Sequence, residues 1–154
     1  MAQEDPREVA IRNLRALILA GERYRQVLSE HLGLGVTETQ AISYLTIHGD
    51  RGQNDLASDL GLSSGASTAL VDRLERQGIA ERYPHASDRR RTWVRLTDNG
   101  RSVVQESRQM LSTALEDIPT TQFDQVAEIL RTIAEGLTEQ SEKMARQPKR
   151  DLSR

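Results

Sequence analysis

Two short amphipathic segments separated by Gly61-Leu62-Ser63 constrain this chain more than any other feature. The first, Gln53 to Leu60, places Leu56, Ala57 and Leu60 on its inward side. The second starts at Ser63 or Ser64, capped by a serine, and runs to about Gln77, where Gly78 supplies the stop. Ala66, Leu70, Val71 and Leu74 share one side of it, leaving Ser64, Ser67, Thr68 and Arg73 for the other faces. Two short helices joined by a glycine turn form a helix-turn-helix unit.

The flanking sequence is helical on both sides and changes character once. Residues 8–32 read as a long helix with Ile11, Leu14, Ile18, Arg25, Leu28 and Leu32 near one stripe, ended by Gly33-Leu34-Gly35. Thr37-Glu38-Thr39-Gln40 reads as a capping box in which Gln40 reaches back to Thr37, opening a helix that closes at His48-Gly49-Asp50. Beyond Gly78 the period shifts. Ile79 to Tyr83 reads as a strand, Pro84 to Asp88 as a turn, and Arg91 to Leu96 as a second strand with Thr92, Val94 and Leu96 on one face. Thr97 caps a helix to about Ile118, Pro119-Thr120-Thr121 breaks it, and Phe123, Val126, Leu130, Ile133 and Leu137 mark a last helix. The fold class is mainly α with a small β-hairpin wing, a winged helix-turn-helix flanked by N- and C-terminal helices. The expected divisions are 1–36, 37–101, 102–141 and a frayed tail over 142–154.

Charge distribution says more than net charge, which is -2. Residues 63–101 carry eight Arg against five acids, while residues 1–62 and 102–154 are each net acidic. Within the hairpin, Arg82 to Arg95 holds five Arg and one acid, and Arg89, Arg90 and Arg91 are consecutive. A phosphate backbone attracts such an island and is repelled by the acidic arms, which orients the approach. The absence of cysteine excludes disulfides, zinc fingers and thiol-based sensing. No apolar run approaches the ~18 residues of a membrane span, and the polar start Met1 to Pro6 is not a signal peptide, so a cytoplasmic protein is the expectation.

The second helix of such a unit enters the major groove with its N-terminal residues on base edges. The candidate contacts are Ser63, Ser64, Ser67, Thr68 and Arg73, with Gln53 at the start of the preceding helix. Small hydroxyl side chains let the backbone approach closely and bond either bases or phosphates. Ser63 is equally readable as a helix cap, and Arg73 as the partner of a neighbouring acid such as Asp72 or Glu75. In the hairpin, Arg89, Arg90 and Arg91 suit a narrow minor groove, with Asp88 as the residue that orients them.

The ordered set Leu56-Ala57…Leu60-Gly61-Leu62-Ser63, Leu70 to Ile79, Ser87-Asp88-Arg89-Arg90-Arg91 and Leu96-Thr97-Asp98-Asn99-Gly100 resembles the MarR family of transcriptional regulators. The resemblance is close over residues 37–101 and extends to the flanking helices by architecture only. It implies a two-fold dimer built by the first and last two helices. It also implies a ligand-modulated regulator, more often a repressor, that binds double-stranded DNA. Under it Asp88 and Arg90 form the wing's Asp-Arg pair, and Ser64, Ser67 and Thr68 are the recognition-helix contacts. No cofactor, metal or membrane partner is implied. The peroxide-sensing branch of the family uses a cysteine near its first helix, which this chain lacks. Tyr24, His31, Tyr44 and Arg15 are conceivable effector-lining residues, each with packing as its ordinary role.

Catalytic readings fail on context. Gly61-Leu62-Ser63-Ser64-Gly65 spells a nucleophile elbow, but an amphipathic helix precedes it where a strand is needed. His31, His48 and His85 lack metal-site spacing. The remaining competitor is a winged-helix module whose basic hairpin docks an acidic protein, although such surfaces more often present aromatic anchors.

Overall fold

A computed structural model of the chain describes residues 4–85 and 91–148. The chain divides into two compact units, Met1–Met110 and Leu111–Arg154.

The first unit opens with α1 (Pro6–Leu32), capped by the Asp5 side chain, which accepts from the Arg7 N–H, and started by a proline at the first helical position. Its last turn is anchored inside the protein. Leu28 and Ser29 are buried, and the Ser29 hydroxyl lies 2.7 Å from the Arg25 carbonyl and 2.9 Å from the Thr39 hydroxyl, either of which can accept its proton. Further toward the N-terminus Ile11, Leu17, Ile18 and Leu19 are exposed.

Helix α2 (Val36–His48) begins one residue before the expected start, with a different cap. Gly35 is the N-cap, and Glu38, at the third helical position, returns its carboxylate to the Gly35 N–H. The expected Thr37–Gln40 box is therefore replaced by one two residues earlier, Gly35–Glu38. The reason is that Thr39 turns inward to Ser29 and its hydroxyl donates to the Gly35 carbonyl, which pins the first turn.

A two-residue strand, β1 (Arg51–Gly52), leads directly into α3 (Gln53–Asp59). The turn to α4 (Ser64–Arg76) passes through Gly61 at φ 63°, the left-handed region, while the Leu62 N–H bonds the Ala57 carbonyl at 2.8 Å. Gly78, at φ 67°, closes α4 in the same way, with Ile79 N–H on the Leu74 carbonyl at 2.9 Å.

The hairpin follows as β2 (Ala80–Pro84) and β3 (Thr92–Leu96), antiparallel, with Arg82 opposite Val94 and Tyr83 opposite Trp93. β1 pairs on the other edge of β3, Gly52 opposite Trp93, giving a three-stranded sheet in the order β1-β3-β2. The sequence reading contained the hairpin but not β1, since two residues carry no period. Ala41, Ile42 and Leu45 of α2, Leu56 of α3, Leu70, Val71 and Leu74 of α4, Ile79, Ala80 and Val94 form one buried cluster. Val94 reaches it from the inward face of β3, as alternation requires.

Helix α5 (Asp98–Thr113) is capped by Thr97, whose hydroxyl accepts the Gly100 N–H at 3.1 Å and lies 2.5 Å from the Gly78 carbonyl, to which it donates. It ends at Thr113 rather than near Ile118, because residues 114–117 form turns. In the second unit a 3-10 turn, Thr120–Gln122, leads into α6 (Phe123–Ala145). Phe123, Leu130 and Leu137 are exposed along it, and Val126 and Ile133 half-buried. The helix continues to Ala145, past the expected tail boundary at 142, and is laced by Lys143–Glu139 at 2.7 Å and Arg146–Glu142 at 3.5 Å.

Candidate nucleic-acid interface

The start of α4 separates the candidate serines by function. Ser63 is the N-cap, its hydroxyl accepting the Ala66 N–H at 3.3 Å. Ser64 and Thr68 are exposed. Ser67 is only 1% exposed, so the expected sharing of an outward face by all three is corrected. Ala66, expected inward, is exposed. Residues 67, 70, 71 and 74 follow the i, i+3, i+4, i+7 spacing of one stripe, and Ser67 is its first member. A small residue is needed there because α3 passes close by, with the Ser67 hydroxyl donating to the Gln53 carbonyl at 3.4 Å.

Arg73 resolves toward the acid-pairing alternative. Its guanidinium pairs with Glu38, whose side chain is 7% exposed, while Arg73 itself stays 42% exposed. One buried carboxylate thus holds both the first turn of α2 and the middle of α4. Sequence spacing carries no sign of this pair, since the residues lie 35 positions apart.

Arg82, counted in the sequence as part of the basic hairpin, sits at the centre of a network between α3, α4 and β2. Its guanidinium pairs with Glu75 and with Asp72 at 2.7 Å, donates to the Gln53 side-chain oxygen at 3.0 Å and to the Thr68 carbonyl at 3.2 Å. Its backbone N–H bonds Glu75 at 2.8 Å. Gln53 in turn donates to the Thr68 hydroxyl at 3.1 Å. The wing strand is thereby fixed to the recognition helix by side chains from both.

Other arginines of the basic island are paired as well. Arg95 pairs with Glu81 at 2.7 Å and lies 4.8 Å over the Tyr83 ring, its pKa raised by the Glu81 hydrogen bond. Tyr83 donates to Asp50 at 2.7 Å, and that bond raises the phenol pKa. Trp93 packs between Tyr83 and His85, with ring centroids 6.4 and 5.0 Å away. Arg91, at the start of the returning strand, is exposed and lies 3.6 Å from Asp55. Asp88, Arg89 and Arg90 lie outside the described residues.

The residues named for an effector do not converge. The Tyr24 hydroxyl donates to the Ser107 carbonyl at 3.4 Å, His31 lies 3.2 Å from Glu106, and Tyr44 packs on the core beside His48. Arg15 lines a recess with Glu4, Glu8, Ile11 and Arg12. Among the described residues no three His, Asp or Glu side chains are placed to hold a metal ion, and no helix is long and apolar enough to cross a membrane.

Comparison with known proteins agrees with this geometry. The profile of the MarR family matches residues 32–91. The HTH-type transcriptional regulator YcgE of Bacillus subtilis is 33% identical over 87 residues, 56% of this chain and 56% of that protein. The transcriptional repressor MprA of Escherichia coli is 28% identical over 111 residues, 67% of this chain and 63% of its own length. The chain thus spans little more than half the length of these relatives. The crystal structure of a MarR family protein from Bacillus stearothermophilus superposes with a TM-score of 0.65 at 20% identity, covering 89% of this chain and 99% of the other. Residues 32–91, which match the MarR family model, hold the helix-turn-helix and β2, and the described residues share the fold of the MarR family structure from Bacillus stearothermophilus.

Proposed function

We propose that this chain is a homodimeric, sequence-specific DNA-binding transcriptional regulator, a repressor whose affinity for an inverted-repeat operator responds to a small ligand. The observation that carries the DNA-binding part is the outward N-terminal face of α4. Ser64 and Thr68 are exposed there, and the wing strand is held beside them through Arg82. That arrangement presents a helix to the major groove and a basic ribbon to the flanking minor groove. Asp88, Arg89, Arg90 and Arg91 supply the ribbon's contacts in this reading. The names of the relatives, regulators and in one case a repressor, point the same way.

Dimerisation rests on exposed apolar side chains of α1 and α6, among them Ile18, Leu130 and Leu137, which a second copy would cover. Two-fold symmetry then places half-site centres about 34–36 Å apart. Ligand control requires an effector that binds the DNA-incompetent dimer better, since equal affinity shifts nothing. The test is fluorescence anisotropy with the upstream DNA of the protein's own gene against scrambled DNA over a salt series. Tight, selective binding with a steep salt dependence supports the reading and counts the neutralised phosphates. Equal weak binding to both, followed by failure to enrich any duplex from a random pool, would sink it.

A further inference from the structure

We infer that Arg82 holds the oxygen of the Gln53 side-chain amide so that the amide meets DNA first through its free N–H, and that Arg82 is thereby a specificity-determining positioning residue. The inference rests on the DNA-binding reading above. A guanidinium has five N–H groups and no acceptor, so the Gln53 atom that faces Arg82 Nε at 3.0 Å is the carbonyl oxygen. The Thr68 hydroxyl donates its one proton to the Ser64 carbonyl at 3.0 Å, so toward Gln53 it accepts, and the atom facing it at 3.1 Å is the amide nitrogen. Both ends of the amide are thus assigned by their partners, and the two assignments agree.

What remains for a ligand is the second amide N–H of Gln53. Its oxygen is turned toward the protein, and Arg82 is itself held by Glu75, Asp72 and the Thr68 carbonyl. Glutamine reads adenine in the major groove by using both amide ends, accepting from N6 and donating to N7. With Arg82 already on the oxygen, that mode would have to share its second lone pair beside a guanidinium, and it is disfavoured against a contact through the N–H alone. The shared chemistry of what Gln53 can still bond is an acceptor, either on a base edge, where guanine O6 and N7 or thymine O4 offer it without the neighbouring N6 donor that flanks adenine N7, or a phosphate oxygen.

The test uses the full chain and a pool of randomised double-stranded DNA, with wild type, Gln53→Ala, Arg82→Met and the double variant. The expected result is guanine or thymine at one position of each half-site. Gln53→Ala relaxes that position with about a tenfold loss of affinity, and Arg82→Met shifts its preference toward adenine. If Gln53→Ala instead lowers affinity by one factor on every duplex, and Arg82→Met adds no loss in the double variant, the acceptor is a phosphate oxygen and the specificity role of Arg82 is overturned. Adenine selected by wild type at the Gln53-dependent position overturns the inference, as does an Arg82→Met protein with unchanged affinity and base preference. Arg82→Met also loses its ion pairs, so its fold is read by circular dichroism. If it does not fold, the wild-type and Gln53→Ala selections decide alone. No enrichment by wild type is a different failure, that of the DNA-binding reading itself.

Discussion

Ser67 and Thr68 are neighbours in sequence with opposite surroundings, and substitutions should separate them. Thr68→Ala removes an exposed hydroxyl that Gln53 and Ser64 share, and is expected to weaken DNA binding in anisotropy titrations. Ser67→Ala removes a buried hydroxyl with one long bond, and should leave DNA affinity within twofold while changing stability by less than about 1 kcal/mol. Equal losses of affinity would contradict the assignment of their faces. Glu38 is the residue with most to lose. Glu38→Ala frees the Gly35 N–H and unpairs Arg73, and denaturant unfolding should register a loss of about 1–3 kcal/mol. Gly100 is constrained by space. A Cβ there would overlap the Ile79 carbonyl, so Gly100→Ala should destabilise by about 1–3 kcal/mol in the same assay.

Among the elements, the helices and the hairpin were legible because each carries a period or a punctuation mark. Leu70, Val71 and Leu74 announced α4, Gly61 and Gly78 its limits, and Val94 the inward face of β3. What sequence missed depends on tertiary neighbours. Strand β1 exists because β3 offers it an edge. The cap of α2 moved because Thr39 found Ser29 on α1. Arg73 could be read as a DNA contact, and Arg82 as part of a free basic hairpin, because their acids, Glu38, Asp72 and Glu75, become partners only once the chain is folded. The Tyr83–Asp50 bond ties β2 to the α2–β1 turn, and it makes a pH prediction. Asp50 raises the folded phenol pKa above its ordinary value. The bond's stabilisation is therefore present below the unfolded pKa of about 10 and is lost as pH rises through the higher folded one. The stability difference between wild type and Tyr83→Phe should hold from pH 7 to 9 and shrink in more alkaline solution. A difference constant through pH 11 would show that the bond contributes nothing.

For the whole molecule, the apolar side chains left exposed on α1 and α6 set the expectation. Leu17→Glu with Ile18→Glu adds charge at positions already open to solvent in one copy, so the fold should survive. If those positions are covered in a dimer, sedimentation should report a monomer and operator affinity should fall, since each half-site would then be bound separately. A double variant that remains dimeric would place the subunit contact elsewhere.

The network around Arg82 also bears on how a protein of this architecture can change its target. Gln53, Thr68, Glu75 and Arg82 come from three elements and 30 positions of chain, yet they form one hydrogen-bonded set. A graft of α4 alone onto another scaffold would leave Glu75 without its arginine, and a graft of the hairpin alone would bring an arginine without its acids. The smallest transplantable reading unit is therefore the continuous stretch from Gln53 to Arg82. If the proposed DNA-binding role holds, drift toward new targets is easiest at Ser64, whose side chain stands outside that set, and slowest at the four residues that must change together.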